Sequence, residues 1–171
     1  MRKISCCLSG MILFAVAANA APNATIFGGY QYTRFGDSLV FANSGSIFSR
    51  GTGLNANGWN AALTAGFSSW LGIRADVSAV YPSNFNFYTY TFGPELSLHL
   101  PIVRPFAHAL FGIARVSSSG VVSNDFETII GGGVDLGHGI LAWRVAQLDW
   151  MSKGIVNNKN IRICTGLALR F

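Results

Sequence analysis

The sequence predicts an all-β fold, an eight-stranded antiparallel transmembrane up-and-down β-barrel. Three observations predict it: an apolar composition without a long apolar run after residue 20, a two-residue alternation that recurs along the chain, and an N-terminal export signal. Only 11% of residues are charged, against about 25% in an ordinary soluble domain, while 50% are hydrophobic and 13% aromatic. A membrane helix needs about 20 consecutive apolar residues, and no stretch beyond residue 20 supplies them. Strands solve the problem, because alternate positions carry the apolar side chains to one face.

The export signal comes first. Arg2 and Lys3 precede a mostly apolar run from Ile4 to Ala17, and Ala18-Asn19-Ala20 has the small-x-small pattern that fits the narrow pocket of signal peptidase. These are the parts of a Sec-type signal peptide over residues 1–20, leaving 21–171 as the expected barrel domain. The apolar run is too short to anchor the chain as a spanning helix. Cys6 and Cys7 lack a small-residue lipobox ahead of them and leave with the signal, so Cys164 remains alone and no intrachain disulfide forms. Once Arg2 and Lys3 are removed, the 12 basic residues become 10 against 7 acidic ones, a net charge of +3. That surplus is too weak to point to nucleic acid.

Turn signals and alternation place strands at 23–34, 57–68, 70–81, 86–99, 103–116, 125–137, 139–151 and 160–171. Each is long enough for the roughly 9–11 residues a barrel strand needs to cross. The first carries Tyr30 and Tyr32 on one face. The second sets Trp59, Ala61, Leu63, Ala65 and Phe67 against Asn60, Thr64 and Gly66. In the third, Leu71, Ile73, Ala75, Val77, Ala79 and Tyr81 oppose Gly72, Arg74, Asp76 and Ser78. In the fourth, Tyr88, Tyr90, Phe92, Leu96, Leu98 and Leu100 oppose Thr89, Thr91, Gly93, Glu95, Ser97 and His99. The fifth is mixed, because Arg104, His108 and Gly112 share a face with Phe106 and Leu110. The sixth opposes Ile130, Val134 and Leu136 to Glu127, Gly131, Gly133 and Asp135. The seventh breaks parity after Arg144, and a one-residue bulge near Val145-Ala146 restores it by turning Leu148 and Trp150 to the apolar face. The last sets Ile161, Ile163, Leu167, Leu169 and Phe171 against Asn160, Arg162, Gly166 and Arg170.

Connections near Ser69, over 100–102 and near His138 are short, while 35–56, 82–85, 117–124 and 152–159 are generally longer. Short periplasmic turns and longer outer loops have that phase when both chain ends are periplasmic.

A soluble barrel puts its apolar face inside, and an outer-membrane barrel inverts this. Tyr30, Trp59, Tyr81, Tyr88, Tyr90 and Trp150 cluster towards one rim and Trp143 and Phe171 towards the other, as two lipid-interface girdles. The opposite face carries Arg74, Arg104, Arg144, Arg162 and Arg170 with Asp76, Glu95, Glu127, Asp135 and Asp149, five against five. Eight strands enclose an interior that side chains just fill, so equal numbers, with His108, compose a charge-paired lumen network.

Three patches carry a family resemblance: Phe27-Gly28-Gly29-Tyr30-Gln31-Tyr32, Asn57-Gly58-Trp59-Asn60-Ala61, and Asn160-Ile161-Arg162-Ile163-Cys164-Thr165-Gly166-Leu167. With these, the chain resembles the OmpA/OmpX-like eight-stranded outer-membrane β-barrel family. The resemblance implies integral residence in the bacterial outer membrane. Nothing follows the barrel, so no peptidoglycan-binding domain is expected. The closing Leu169-Arg170-Phe171 resembles the signal read by the outer-membrane insertion machinery. Relatives are variously linked to envelope stability, adhesion and slow solute passage.

Catalysis, cofactors and metals find no support in the residues. His99 and His138 fall at short-turn ends, on the wrong side for outer-leaflet lipid, and His108 is mid-strand among lumen polar groups. Gly131-Gly132-Gly133 lacks the Lys-Ser/Thr end of a phosphate loop, and Cys164 has no second ligand at metal spacing. Loop 35–56 is rich in Ser, Gly and Asn with Phe41, Ile47 and Phe48 interspersed, which fits a solvated loop first and an extracellular recognition site as the sharper alternative. Arg34, Arg50, Arg115, Lys153 and Lys159 exceed Asp37 and Asp125 by three charges, which suits the phosphates of lipopolysaccharide. The expectation is therefore a monomeric structural or surface-interaction protein with a largely plugged lumen. The alternatives are a narrow porin-like channel, a lipid-A-modifying enzyme and a secreted soluble barrel.

Overall fold

The structure, a computed structural model, describes residues 23–35, 55–81, 86–118, 121–153 and 160–171. It contains β1 (Asn23–Arg34), β2 (Asn55–Gly66), β3 (Leu71–Val80), β4 (Asn86–Ser97), β5 (Val103–Ser118), β6 (Val121–His138), β7 (Leu141–Lys153) and β8 (Asn160–Arg170). Every strand pairs antiparallel with its sequence neighbours, and β8 returns to β1, so the sheet closes with no free edge. Beyond the ladder, Ala24 N donates to Phe171 O at 3.1 Å and Phe171 N donates to Ala24 O at 2.8 Å, which ties the two ends of the barrel chain together.

Alternation decides which side chains face in. Along β3, Gly72, Arg74, Asp76 and Ser78 are buried while Ile73 and Ala75 are exposed, and β4 repeats the pattern from Phe87 to Ser97. β7 keeps it by means of a bulge. Val134 pairs with Ala146 and Asp135 with Arg144, so Val145 is the extra residue, and Leu148 and Trp150 point outward.

Several strand ends depart from the pattern read in the sequence: β2 stops at Gly66 and β4 at Ser97, each two residues early, and β7 runs two residues later at both ends. β5 and β6 pair as far as Ser118 and Val121, so most of the expected 117–124 connection is strand. The outer connections are therefore not uniformly long, and inside-out alternation carries more weight than loop phase. β2 also begins two residues earlier than expected, because Ala56 and Asn55 pair with Thr33 and Arg34. The loop residues Asp37, Phe41, Ile47, Phe48, Arg50 and Lys159 lie outside the described residues.

The outer wall is apolar. Ile73, Phe92, Leu96, Phe111, Ile130 and Leu167 stand exposed on it, and aromatics mark both rims. At the rim where β1 ends, Tyr30, Trp59, Tyr81 and Tyr90 are exposed and Tyr88 is half-buried. Trp150 lies towards the same end. Tyr30 donates its hydroxyl to Asn57 Oδ1 at 2.7 Å, and the Trp59 indole N–H donates to the Tyr81 hydroxyl at 3.2 Å. Each ring thus turns its polar atom to a partner and its body outward, the disposition an interfacial aromatic needs. Trp143 and Phe171 are exposed at the other rim, with Phe67 and Trp70 beside them in the β2–β3 turn.

Candidate functional site

The interior holds the chemistry. Arg162 on β8 is fully buried and donates through Nε to Asp149 Oδ2 at 2.6 Å and through Nη1 to Asp76 Oδ1 at 3.0 Å. Asp76 also accepts from Arg74 Nη2 at 3.0 Å and from Asn60 Nδ2 at 2.7 Å. Arg74 continues the chain to Glu95 Oε2 at 3.1 Å and to Gln147 Oε1 at 3.0 Å. Because β3 and β7 stand opposite one another in the closed order, the bond from Arg74 to Gln147 crosses the lumen. So does the bond from Arg162 to Asp76. Gln147 itself donates to Asp149 Oδ2 at 2.7 Å, and His108 Nε2 lies 3.0 Å from Asp149 Oδ1.

A second group lies towards the β1 start. Arg144 makes a two-pronged pair with Asp135 at 2.7 and 3.2 Å and donates to Gln147 at 2.8 Å. Its guanidinium sits 4.2 Å from the centres of both the Phe27 and Phe106 rings, a stacked cation between two aromatic faces. Arg104 donates to Thr25 at 2.7 Å and Ser97 at 2.9 Å and lies 3.9 Å from Glu95. Arg170 is the most open of the set, 18% exposed and 3.8 Å from Asp135. Glu127 is buried on β6 and engaged.

The eleven residues expected to line the lumen, Arg74, Asp76, Glu95, Arg104, His108, Glu127, Asp135, Arg144, Asp149, Arg162 and Arg170, thus all face inward. Alternation already places their partners Asn60 and Ser97 on the polar face, while Gln147, Thr25 and above all Phe27 and Phe106 are partners it does not single out. Inward parity was the available signal for these rings. The apolar character of Phe106 makes that parity read as a defect of the β5 pattern, and Phe27 enters the sequence reading only within a family patch.

Of the five expected rim cations, the two with described side chains do not converge. Arg34 ends β1 and Arg115 lies near the end of β5, on opposite walls of the barrel, and both are exposed. Lys153 closes β7, where only its backbone is described. The turn histidines pack on backbone, His99 Nδ1 at 2.7 Å from Ser69 O and His138 Nδ1 at 3.3 Å from Pro101 O. Among the described residues no group of three or more His, Cys, Asp or Glu side chains is placed to hold a metal ion.

A closed eight-stranded barrel with charges inside and an apolar wall outside has the architecture of the outer-membrane β-barrel proteins. Among solved structures, Neisserial surface protein A matches with a TM-score of 0.66 and 13% identity, over 86% of this chain and 97% of that one. The N-terminal β-barrel domain of Pseudomonas aeruginosa OprF matches at 0.63 and 11% identity, over 88% and 98%. Ail, the attachment invasion locus protein of Yersinia pestis, solved in complex with the heparin analogue sucrose octasulfate, matches at 0.55 and 17%, over 87% and 98%. At these identities the likeness is one of fold. No family model and no curated protein sequence matches the chain.

Proposed function

We propose that this chain is an integral protein of the bacterial outer membrane, exported by a cleaved signal peptide over residues 1–20. Its role is structural or surface interaction, without catalysis, and its lumen is closed to solutes. One observation carries the reading: full-length arginines and carboxylates are buried at the centre while tryptophans, phenylalanines and leucines face outward. A water-soluble barrel of this pattern would expose its greasy wall and bury charge at several kcal/mol per ion, so only an apolar surround makes the polarity favourable. The bonds between β3 and β7 or β8 cross the lumen, which supports an interior filled by side chains along its length.

Membrane fractionation combined with heat-modifiable gel mobility tests location and closure together. The chain is expected in the outer-membrane fraction, with a fast-migrating band that disappears on boiling. Recovery in the aqueous phase without detergent overturns the reading. Purified protein should give no steady current in planar bilayers, and lipid A from expressing cells should keep its mass. N-terminal sequencing should begin at Ala21.

The partners follow from the surface. Exposed Arg34 and Arg115, with Arg50, Lys153 and Lys159, suit phosphates of lipopolysaccharide, a polyanion as sucrose octasulfate is for Ail. Replacing all five with Gln should loosen lipopolysaccharide association, and unchanged association removes this part of the proposal. The C-terminal strand ending in Phe171 engages the insertion machinery, so Phe171→Ser should slow assembly. The barrel acts as a monomer, which sedimentation in detergent checks.

A further inference from the structure

The lumen is not polar throughout. Beyond the ion-pair belt, towards the outer end, its lining turns apolar. Val80 follows Ser78 and Asp76 on the inward face of β3, Phe87 precedes Thr89 on β4, and Met151 follows Asp149 on β7. Val80 pairs with Phe87 across β3–β4. Leu110, Ile129 and Met151 pair in one unbroken row across β5, β6 and β7. Phe35, just past the end of β1, meets Phe87 edge-to-face with centroids 5.4 Å apart and rings at 79°. That contact reaches from β1 to β4, three strands around the barrel. All six side chains are at most 1% exposed. Glu127 and Asn160 line the same end, and neither lacks a partner.

We infer that this layer is the stopper of the barrel: an apolar plug in the outer part of the lumen, and not the ion-pair belt beneath it, keeps ions from passing. The inference rests on the closed-lumen reading above and assigns the closure to particular side chains. The physical reason is wetting. A belt of charged and amide groups offers water and ions a ready exchange of partners, so breaking one pair leaves others to hold the rest. A constriction lined by hydrocarbon offers an entering ion nothing to replace its hydration shell, and such constrictions close pores by dewetting. In an eight-stranded barrel, whose interior side chains just fill, aliphatic and phenyl groups from six walls are enough to close the cross-section. The belt then has a different task, to neutralise and brace the lower lumen.

Conductance of the purified barrel in planar bilayers separates the two layers. Leu110→Ser with Ile129→Ser wets the stopper without adding charge, and Glu95→Gln removes the carboxylate that Arg74 and Arg104 share in the belt. The expected result is silence from the wild-type barrel and from Glu95→Gln, and steady current steps from the double serine variant. Only preparations showing the heat-modifiable band count as folded. Should the double variant lack that band, Phe87→Thr, at the strand end, takes its place with the same expected steps. Steady steps from Glu95→Gln with silence from the folded stopper variants overturn the assignment and leave a closed lumen standing. Silence from every folded variant also overturns it, because wetting the stopper then opens nothing. Steady steps from the wild-type barrel overturn the closed lumen itself.

Discussion

Replacing Arg162 with methionine tests whether the lumen charges are sealed from water. Methionine keeps much of the volume of the arginine stem and removes only the guanidinium. The fully buried guanidinium bridges Asp149 at 2.6 Å and Asp76 at 3.0 Å. Breaking a buried pair by deleting one partner typically costs about 3–5 kcal/mol, because the surviving charge stays buried. Here the survivors are not abandoned. Asp76 keeps Arg74 and Asn60, and Asp149 keeps Gln147 and the nearby His108. The lower end of that range, about 3 kcal/mol, is therefore expected. At about 1.4 kcal/mol per tenfold change, the folded-to-unfolded ratio should fall by roughly two powers of ten. Arg170→Met is the control: its partner Asp135 is 3.8 Å away and the side chain is 18% exposed, so a loss of about 1 kcal/mol or less is expected. Urea unfolding in phospholipid vesicles, followed by tryptophan fluorescence and by loss of the fast gel band, measures both. Equal costs for Arg162→Met and Arg170→Met would mean that water already screens the lumen, and the buried-network reasoning would be refuted.

Neighbouring glycines on β1 should respond oppositely to alanine. A Cβ on Gly29 would run into the backbone oxygen of Thr165, on the seam where β1 meets β8, whereas nothing lies within 4 Å of one on Gly28. Gly29→Ala should cost about 1–3 kcal/mol by overpacking and Gly28→Ala should fold like wild type, both read by the heat-modifiable band. Phe92→Arg places a cation on the apolar wall, where this ring is 66% exposed. Vesicle unfolding should show a loss of about 2–4 kcal/mol if it lies near the bilayer midplane, and a neutral result would count against lipid contact. The four tryptophans are between 43% and 61% exposed, so acyl chains carrying bromine should quench most of the intrinsic fluorescence. Emission unchanged by brominated lipid would argue for a wall that does not face acyl chains.

The fold was legible because a barrel writes itself locally. Ile73, Arg74, Ala75 and Asp76 assign β3 its two faces with no knowledge of any other strand, and a break in parity at Val145 marks the bulge to the residue. Strand ends were less legible. The β5–β6 hairpin runs on to Ser118 and Val121 because backbone pairing outlasts the apolar alternation that signals a membrane wall. Trp70 shows the same at the start of β3: the expected strand 70–81 includes it with the parity of Gly72 and Arg74, yet β3 begins at Leu71 and Trp70 sits exposed in the turn. The lumen partners were hidden by distance along the chain. Arg162 and Asp76 are 86 residues apart, and Arg74 and Gln147 are 73 apart. Balance of charge told that pairs form, and only closure of the sheet tells which.

The mixed face of β5 shows why hydropathy is the wrong currency inside such a barrel. Arg104, Phe106, His108 and Leu110 alternate inward, and each meets a different need. Arg104 joins the lower polar group and His108 lies against Asp149. Phe106 gives the guanidinium of Arg144 a face to stack on, opposite Phe27, so an ion whose hydration is lost on burial gains attraction from two rings as well as from Asp135. Leu110 lies two inward positions further on, where no arginine is available to stack, and packs with Ile129. An apolar residue at that position completes a layer that offers water no partner. The same strand thus changes from bracing charge to excluding water within four residues, and the sequence pattern that looks irregular is the boundary between those two tasks.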